Sequence, residues 1–320
     1  MKPLKVYLNK ANENWIADRF RREWYQYNKE ISTNRVNKSN LIWVLSPWTW
    51  NKLNRKNLDQ KKVLCTVHHI DSAKFNNEQK KNFYELDQYV KSYHAVSDIT
   101  KNQLSELTNK KIYSIPFWLN QNIWYPIINK TEIREKYDIP IDSYVIGTFQ
   151  RDTEGHDLKS PKLSKGPDQF LEIILKYKEK NPNLYIVLTG KRRQWLINNL
   201  KIHHVSYKYI EMASFEKINE LYNCLDLYIV ASRVEGGPQA IPECAITETP
   251  IVSTNVGLAS QLLSKNSIFN MDNYEKVKPD TKYALEKIQE MKIPGGFKKF
   301  TNMEETENVL MICWKNLTFS

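Results

Sequence analysis

The sequence predicts an α/β protein of two doubly wound domains facing each other across a cleft. Three observations carry that expectation. Short apolar runs alternate with helical patterns along nearly the whole chain, in two series separated by a polar break at residues 119–131. The runs of the second series are continuously apolar rather than alternating, as a parallel sheet covered on both faces requires. The 320 residues, 41% of them hydrophobic, are enough for two domains that each bury a core. Ligands of such sheets bind beyond the carboxyl ends of the strands, which puts the site of a two-domain protein in the cleft.

In the first series, strands are expected at residues 6–8, 41–45, 63–67, 94–96 and 112–115. The clearest helix spans 15–27, where Trp15, Ile16, Phe20 and Trp24 fall near helical spacing. Asp98 reads as the N-cap of a helix running to Glu106, because its carboxylate can accept from free first-turn amides. The break holds Asn120, Gln121, Asn122, the Tyr125-Pro126 pair and Asn129. Beyond it, strands are expected at 144–149, 185–189, 205–209, 227–231 and 251–254, with helices at 167–180, 215–223 and 238–247 between them. The tail, 304–317, carries Val309, Leu310, Ile312 and Cys313 near one side of an amphipathic helix. The expected domains are therefore 1–125 and 126–300, with 301–320 a C-terminal helix packing back on the first domain.

Glycine and charge are both lopsided. All nine glycines lie at or beyond residue 147, and the first 146 residues hold none. Of the net charge of +11, residues 1–128 carry +10, from 21 Lys and Arg against 11 Asp and Glu. The remainder carries +1, from 26 against 25. A lysine-rich genome would touch both halves, so the basic half reads as a surface for an anionic acceptor or membrane headgroups. Arg19, Arg21, Arg22, Lys52, Arg55, Lys56, Lys61 and Lys62 are its contributors. Cys65, Cys224, Cys244 and Cys313 form no C-x-x-C pair and are expected as buried free thiols of a reducing compartment. No apolar run approaches membrane-spanning length and no signal peptide is visible, so the expected location is cytoplasmic, with room for a peripheral contact on the cytoplasmic membrane face.

The strongest chemical signal is the run from Glu235 through Gly236, Gly237 and Pro238 to Glu243, which follows a strand and opens a helix. Gly236 and Gly237 let the backbone approach a ligand, and Pro238 suits a first helical turn whose free amides can meet a phosphate. Glu235 in the loop can accept from sugar hydroxyls, and Glu243 on the helix can clasp the two hydroxyls of a ribose. A second constellation starts at Gly147, where a strand ends in Arg151, and resumes with Ser164-Lys165-Gly166 before the next helix. Arg151 and Lys165 then stand at the strand-end rim, a guanidinium fork and a point charge suited to a diphosphate. The polar insert between them, 152–163, reads as a lid.

The E-x7-E spacing of Glu235 and Glu243, followed by Pro250-Ile251-Val252-Ser253-Thr254, resembles the donor site of retaining glycosyltransferases. Arg151 with Lys165-Gly166 resembles the R…KG element of the same enzymes. Across residues 145–260 the chain is similar to glycosyltransferase family 4, whose GT-B fold pairs two Rossmann-like domains. In the first domain the likeness is weaker: Thr66-Val67-His68-His69 and Ala95-Val96-Ser97-Asp98 resemble the family's strand-end histidine and its strand-to-helix turn. The resemblance implies an acceptor-side first domain and a second domain that binds a UDP- or GDP-linked sugar. It implies retaining transfer to a glycan, lipid or protein acceptor, with no metal and no cofactor beyond the donor itself. Arg151 and Lys165 would hold the diphosphate, Glu243 the ribose, and Glu235 the donor sugar, with one of His68 and His69 facing it. The chain departs from the family after its first strand, where residues 9–15 hold no glycine and Asn or Lys side chains are left to substitute.

Other classes fit less well. A catalytically inactive nucleotide- or glycan-binding module of the same fold is the alternative. No D-x-D triplet occurs, and no His, Cys or Asp cluster has metal-ligand spacing; His203-His204 reads as a strand entry. A glycosidase would need two carboxylates flanking one bond, whereas Glu235 and Glu243 sit beside Arg151 and Lys165 at a phosphate-type helix start. The basic half has no RNP aromatics or zinc pair, which argues against nucleic acid.

Overall fold

The computed structural model describes residues 3–12 and 16–301. The chain divides into two compact units, one ending at Pro116 and resuming at Phe297, the other running from Phe117 to Gly296. The expected boundary at 125/126 therefore moves back to 116/117. Residues after Phe117 belong to the second unit because the Leu119 amide donates to Met291 O at 2.7 Å and the Ile293 amide to Leu119 O at 3.1 Å. Trp124 is packed there too, against Phe215 and Tyr222.

The first unit contains β1 Val6–Leu8, α1 Ile16–Tyr27, β2 Leu41–Val44, α2 Arg55–Gln60, β3 Lys62–Val67, α3 Asn77–Asp87, β4 Ser92–Ala95, α4 Asp98–Ser105 and β5 Ile112–Ser114. Its parallel sheet runs in the order β1-β2-β3-β4-β5, every step in the same direction. The cap of α4 is Ser97 rather than Asp98: the Thr100 amide donates to the Ser97 hydroxyl. The Asp98 carboxylate instead accepts from Ser114 Oγ at 2.5 Å, since a residue inside the first turn points away from the amides it was expected to cap. In place of a glycine loop, β1 leads into Asn9, which is 2% exposed. Its Oδ1 accepts from the Leu45 and Ser46 amides, and its Nδ2 donates to Ser46 O and Thr49 Oγ1. That side chain is fully engaged in tying two loops together, so it does not substitute for the missing glycines.

One face of this sheet is aromatic. Trp24 packs edge-on to Trp43 at 5.1 Å, and Trp43 Nε1 donates to Thr66 Oγ1 at 2.8 Å. The Thr66 hydroxyl meets His94 Nδ1 at 3.0 Å, and His94 Nε2 donates to Ile115 O at 2.7 Å. This relay needs a neutral imidazole. Burial supplies one by pushing His94 down to about 4.

The second unit continues with α5 Lys130–Lys136, β6 Tyr144–Thr148, the short hairpin strands β7 Thr153–Glu154 and β8 Ser160–Pro161, then α6 Pro167–Lys180 and β9 Leu184–Thr189. It goes on through α7 Gln194–Ile202, β10 Ser206–Ile210, α8 Phe215–Asn223, β11 Leu227–Val230, α9 Ala240–Ile246 and β12 Ile251–Thr254. It closes with α10 Ala259–Leu262, β13 Ile268–Phe269, α11 Thr281–Lys287 and the start of α12 Gly295–Thr301. The parallel sheet runs β10-β9-β6-β11-β12-β13. Val145, Val187, Tyr228 and Val230 enter one core, and Ile146, Ile186, Leu227 and Ile229 the other. Both faces are covered, which is why these strands read as continuous apolar runs.

The chain rejoins the first unit within α12, where Phe297 packs on Trp24 at 5.9 Å and Phe300 on Trp43 and His94, both at 5.2 Å. The expected tail helix at 304–317, with Cys313, lies outside the described residues. Cys65, Cys224 and Cys244 are free and buried. Among the described residues no helix is long and apolar enough to cross a membrane.

The His94 relay sets a pH dependence. In the unfolded chain the ring takes up a proton near pH 6.5, whereas in the fold it does so only near 4. Stability is then complete above about pH 6.5 and falls as pH drops toward 4, by up to about 1.4 kcal/mol per pH unit from this ring and as much again from His68, which burial lowers to about 4 likewise. Urea denaturation between pH 7 and 4.5 checks this, and a flat profile contradicts it.

Candidate functional site

The site begins with strand order. From β6 the chain steps outward through β9 to β10, then returns to the other side of β6 to lay down β11, β12 and β13. The reversal falls between β6 and β11, which pair Ile146 with Leu227 and Gly147 with Tyr228. Splayed connections leave a crevice beyond the strand ends at such a point, where ligands of open sheets bind. The loops leaving β6 and β11 are those that carry Arg151, Lys165 and Glu235.

Those two loops are laced together. Gly166 is left-handed, with φ +61°, and a Cβ on it would collide with the Ala231 carbonyl. Glycine is thus required twice over, for the turn and for the close approach. The Arg233 and Val234 amides donate to Ser164 O at 2.9 and 3.0 Å. The Arg233 guanidinium grips Asp168 with two bonds of 2.8 and 2.6 Å and reaches Leu163 O at 2.9 Å. Desolvation pushes the Asp168 carboxyl up, but the Arg233 bond and charge outweigh it and leave it below the usual carboxylate range.

The lacing brings Lys165 Nζ to Glu235 Oε1 at 2.6 Å, with the two side chains 22% and 13% exposed. The buried Ser232 hydroxyl lies 3.0 Å from both Glu235 Oε1 and Gln150 Oε1, and Gln150 Nε2 donates to Lys165 O at 2.8 Å. A cation, a carboxylate and two neutral hydrogen-bonding groups therefore share one partly open crevice. Gly236 is held close as well: a Cβ on the left-handed Gly257 would strike the Gly236 carbonyl. Glu243 follows in α9 and is 5% exposed, with Tyr222 Oη donating to its Oε2 at 3.0 Å.

The sequence-expected residues fare differently. Lys165 and Glu235 meet, and Gly236, Gly237 and Pro238 form the turn between Glu235 and α9, which starts at Ala240 rather than Pro238. Arg151 is exposed at the end of the β6 loop, and among the described residues nothing pairs with it. Gly147 is filled by core packing: a Cβ there would run into Leu225. The insert expected as a lid is a pinned hairpin. Its buried Asp152 pairs with Arg193 Nε at 2.6 Å, and Thr153 Oγ1 accepts from the Trp195 amide at 2.8 Å. In the first unit, His68 and His69 follow β3; His68 is half-buried, 5.6 Å from the Trp48 ring, with Nε2 donating to Leu45 O at 2.9 Å. His69 is exposed. Arg19 does not belong to the basic surface: it is 3% exposed and lies 3.8 Å from Glu23, because α1 turns it inward. His203 and His204 form the turn after α7 rather than a strand entry. Sequence reasoning missed Gln150, Ser232, Asp168, Arg233 and Tyr222. Ser232 and Arg233 could have been found as neighbours of Glu235, whereas Tyr222 lies in a helix that reads as core.

Residues 159–279 match the family model for glycosyl transferases group 1. The chain is similar to Anabaena Alr3699/HepE in complex with UDP, with a TM-score of 0.68 at 12% identity, covering 88% of this chain and 94% of that one. Sucrose-phosphate synthase from Thermosynechococcus elongatus follows the same course at a TM-score of 0.63 and 13% identity, over 86% of this chain and 73% of that one. A glycosyltransferase from Rickettsia africae gives 0.52 at 19% identity, over 95% and 77%. No curated protein sequence matches. The fold is that of GT-B glycosyltransferases.

The close approach at Gly166 is testable. Gly166→Ala combines left-handed strain with a collision against backbone, together about 2–4 kcal/mol. Urea denaturation reads the loss, and a variant as stable as wild type contradicts the required approach.

Proposed function

We propose that the chain is a retaining, metal-independent glycosyltransferase that takes a sugar from a nucleotide-diphosphate donor. The observation that carries this reading is the Lys165–Glu235 pair, 2.6 Å apart at the reversal of strand order. A donor needs a cation for its diphosphate and an acceptor for its sugar hydroxyls, side by side. Glu243, a short way along α9, supports the ribose role. The HepE structures with UDP and with UDP-glucose favour UDP over GDP as the donor nucleotide. The acceptor is a glycan, lipid or protein, met by the basic first half.

As the bond between sugar and diphosphate breaks, negative charge gathers on the leaving oxygens. Lys165, held by Glu235, offers a cation that needs no reorganisation at that moment, and the exposed Arg151 a second that can swing to the phosphate, so they act on the transition state more than on ground-state binding. The incoming diphosphate shares Lys165 with Glu235. Their pairing holds the ammonium in place, and the carboxylate can turn to the sugar as the phosphate takes over the lysine. His68 keeps a neutral ring at pH 7, since burial lowers it to about 4, and donates its Nε2 proton to Leu45 O.

Lys165→Ala is expected to lower turnover by about 10²-fold or more and to raise donor KM by a smaller factor, about 10-fold, and Glu243→Ala chiefly to raise donor KM. Glu235→Gln leaves Lys165 without a competing anion, so UDP binds at least as tightly while transfer falls. Steady-state kinetics over a panel of UDP-, GDP- and ADP-sugars, with and without EDTA, tests all three. Wild-type kinetics in both Lys165→Ala and Glu243→Ala contradict the assignment, and binding without turnover on every donor supports the inactive module instead.

The basic face is part of the same proposal. Arg22, Lys52, Arg55 and Lys56 are exposed. Charge reversal at Arg22 and Lys56 is expected to weaken co-sedimentation with anionic liposomes and to leave UDP binding unchanged. Undiminished sedimentation contradicts a membrane contact through this face.

A further inference from the structure

We infer that Tyr222 is a positioning residue for the donor site, holding the Glu243 carboxylate in the orientation that accepts from a ribose diol. The inference rests on the reading of Glu243 as the ribose-binding residue. Tyr222 comes from α8, is 2% exposed, and donates from Oη to Glu243 Oε2 at 3.0 Å. Its ring is wedged among others: Phe149 at 4.9 Å, Tyr228 at 5.4 Å and Trp124 at 5.9 Å. Its backbone carbonyl accepts from Thr249 Oγ1 at 2.9 Å, in the turn just after α9. The hydroxyl is therefore fixed in space, while Glu243 hangs from a flexible side chain whose ordering costs entropy.

The chemistry follows from that contrast. A carboxylate offers about four lone-pair positions, and a phenol takes one of them. With that phenol rigid, the plane of the carboxylate is set by it rather than chosen anew at each binding event. A vicinal diol, with two hydroxyls a short distance apart, fits such a fixed acceptor. A deoxyribose, with one hydroxyl, forgoes one hydrogen bond to this charged acceptor, and the loss of such a bond is what gives polar discrimination. Burial, and then the Glu243 charge, raise the Tyr222 phenol far above its ordinary range, so it remains a donor throughout the working pH. The neighbouring Phe149 amide donates to Tyr228 Oη at 2.8 Å, which ties the ring cluster to the end of β6, beside the loop of Gln150 and Lys165.

Tyr222→Phe removes the hydroxyl and keeps the ring. Calorimetric titration with UDP and 2′-deoxy-UDP is the test, with donor kinetics alongside. Wild type is expected to favour UDP by about 10-fold or more, and the variant to lose about 5- to 10-fold in UDP affinity while its preference shrinks to about twofold. Donor KM rises in step and kcat holds, a split that loosened packing alone would not give. Glu243→Asp, which draws the carboxylate back from the hydroxyl with the ring cluster untouched, is expected to lose the same preference, and covers the case of a Tyr222→Phe chain that does not fold. If Tyr222→Phe discriminates like wild type while Glu243→Gln does not, Tyr222 only packs and the inference is overturned. If Glu243→Gln itself keeps the preference, or wild type binds none of UDP, GDP and ADP, the ribose assignment falls and the inference with it.

Discussion

The close approach of two backbones, at Gly166 and Ala231, is the constraint on which the rest of the candidate site depends. Strand ends at a reversal of order diverge, and their loops would ordinarily splay apart. Here a left-handed glycine without a side chain lets the turn before α6 lie directly against the end of β11. Once the backbones touch, the Ser164 carbonyl meets two amides and Arg233 reaches Asp168. Lys165 has little choice but to face Glu235. The ion pair is a consequence of the packing rather than its cause, since a partly exposed pair contributes little to stability on its own.

Behind the crevice lies a second fixed point. The buried Arg193 guanidinium pairs with Asp152 and donates to the carbonyls of Thr148 and Thr189, the last residues of β6 and β9. It sets where the β6 loop leaves the sheet, with Gln150 and Arg151 between its anchors at 148 and 152. A charge so deeply placed is tolerable because a buried carboxylate and two strand-end carbonyls meet it. The outcome is a site whose backbone frame is rigid on both sides, in which Lys165 and Glu235 are mostly buried and hold each other while Arg151 faces solvent.

Much of this was legible in the sequence, and for identifiable reasons. Continuous apolar runs found the second sheet because both its faces are buried, and Gly166 stood out in a chain so sparing of glycine. Arg151 was paired in expectation with Lys165, and Glu235 with Glu243, by their positions after two strands; the residues that meet are Lys165 and Glu235. Other features had no local signature. Strand order is a non-local property, so neither the sequential first sheet nor the place of reversal could be read from alternating patterns. Asp152 and Arg193 lie far apart in the chain, and each looked like an ordinary polar loop residue, which is why the insert read as a lid. Arg19 counted as surface charge because composition does not say which way a helix turns. Tyr222 was invisible since a buried aromatic in a helix is ordinary core unless its hydroxyl has a target.

The central claim is that Lys165, held beside Glu235, binds the second phosphate of a nucleoside diphosphate. Calorimetric titration of UDP and UMP into wild type and Lys165→Ala tests it most directly. Wild type is expected to bind UDP more tightly than UMP by about 10-fold or more, as one charge-assisted contact allows, and Lys165→Ala to erase the difference. An equal preference for UDP in both proteins would contradict it.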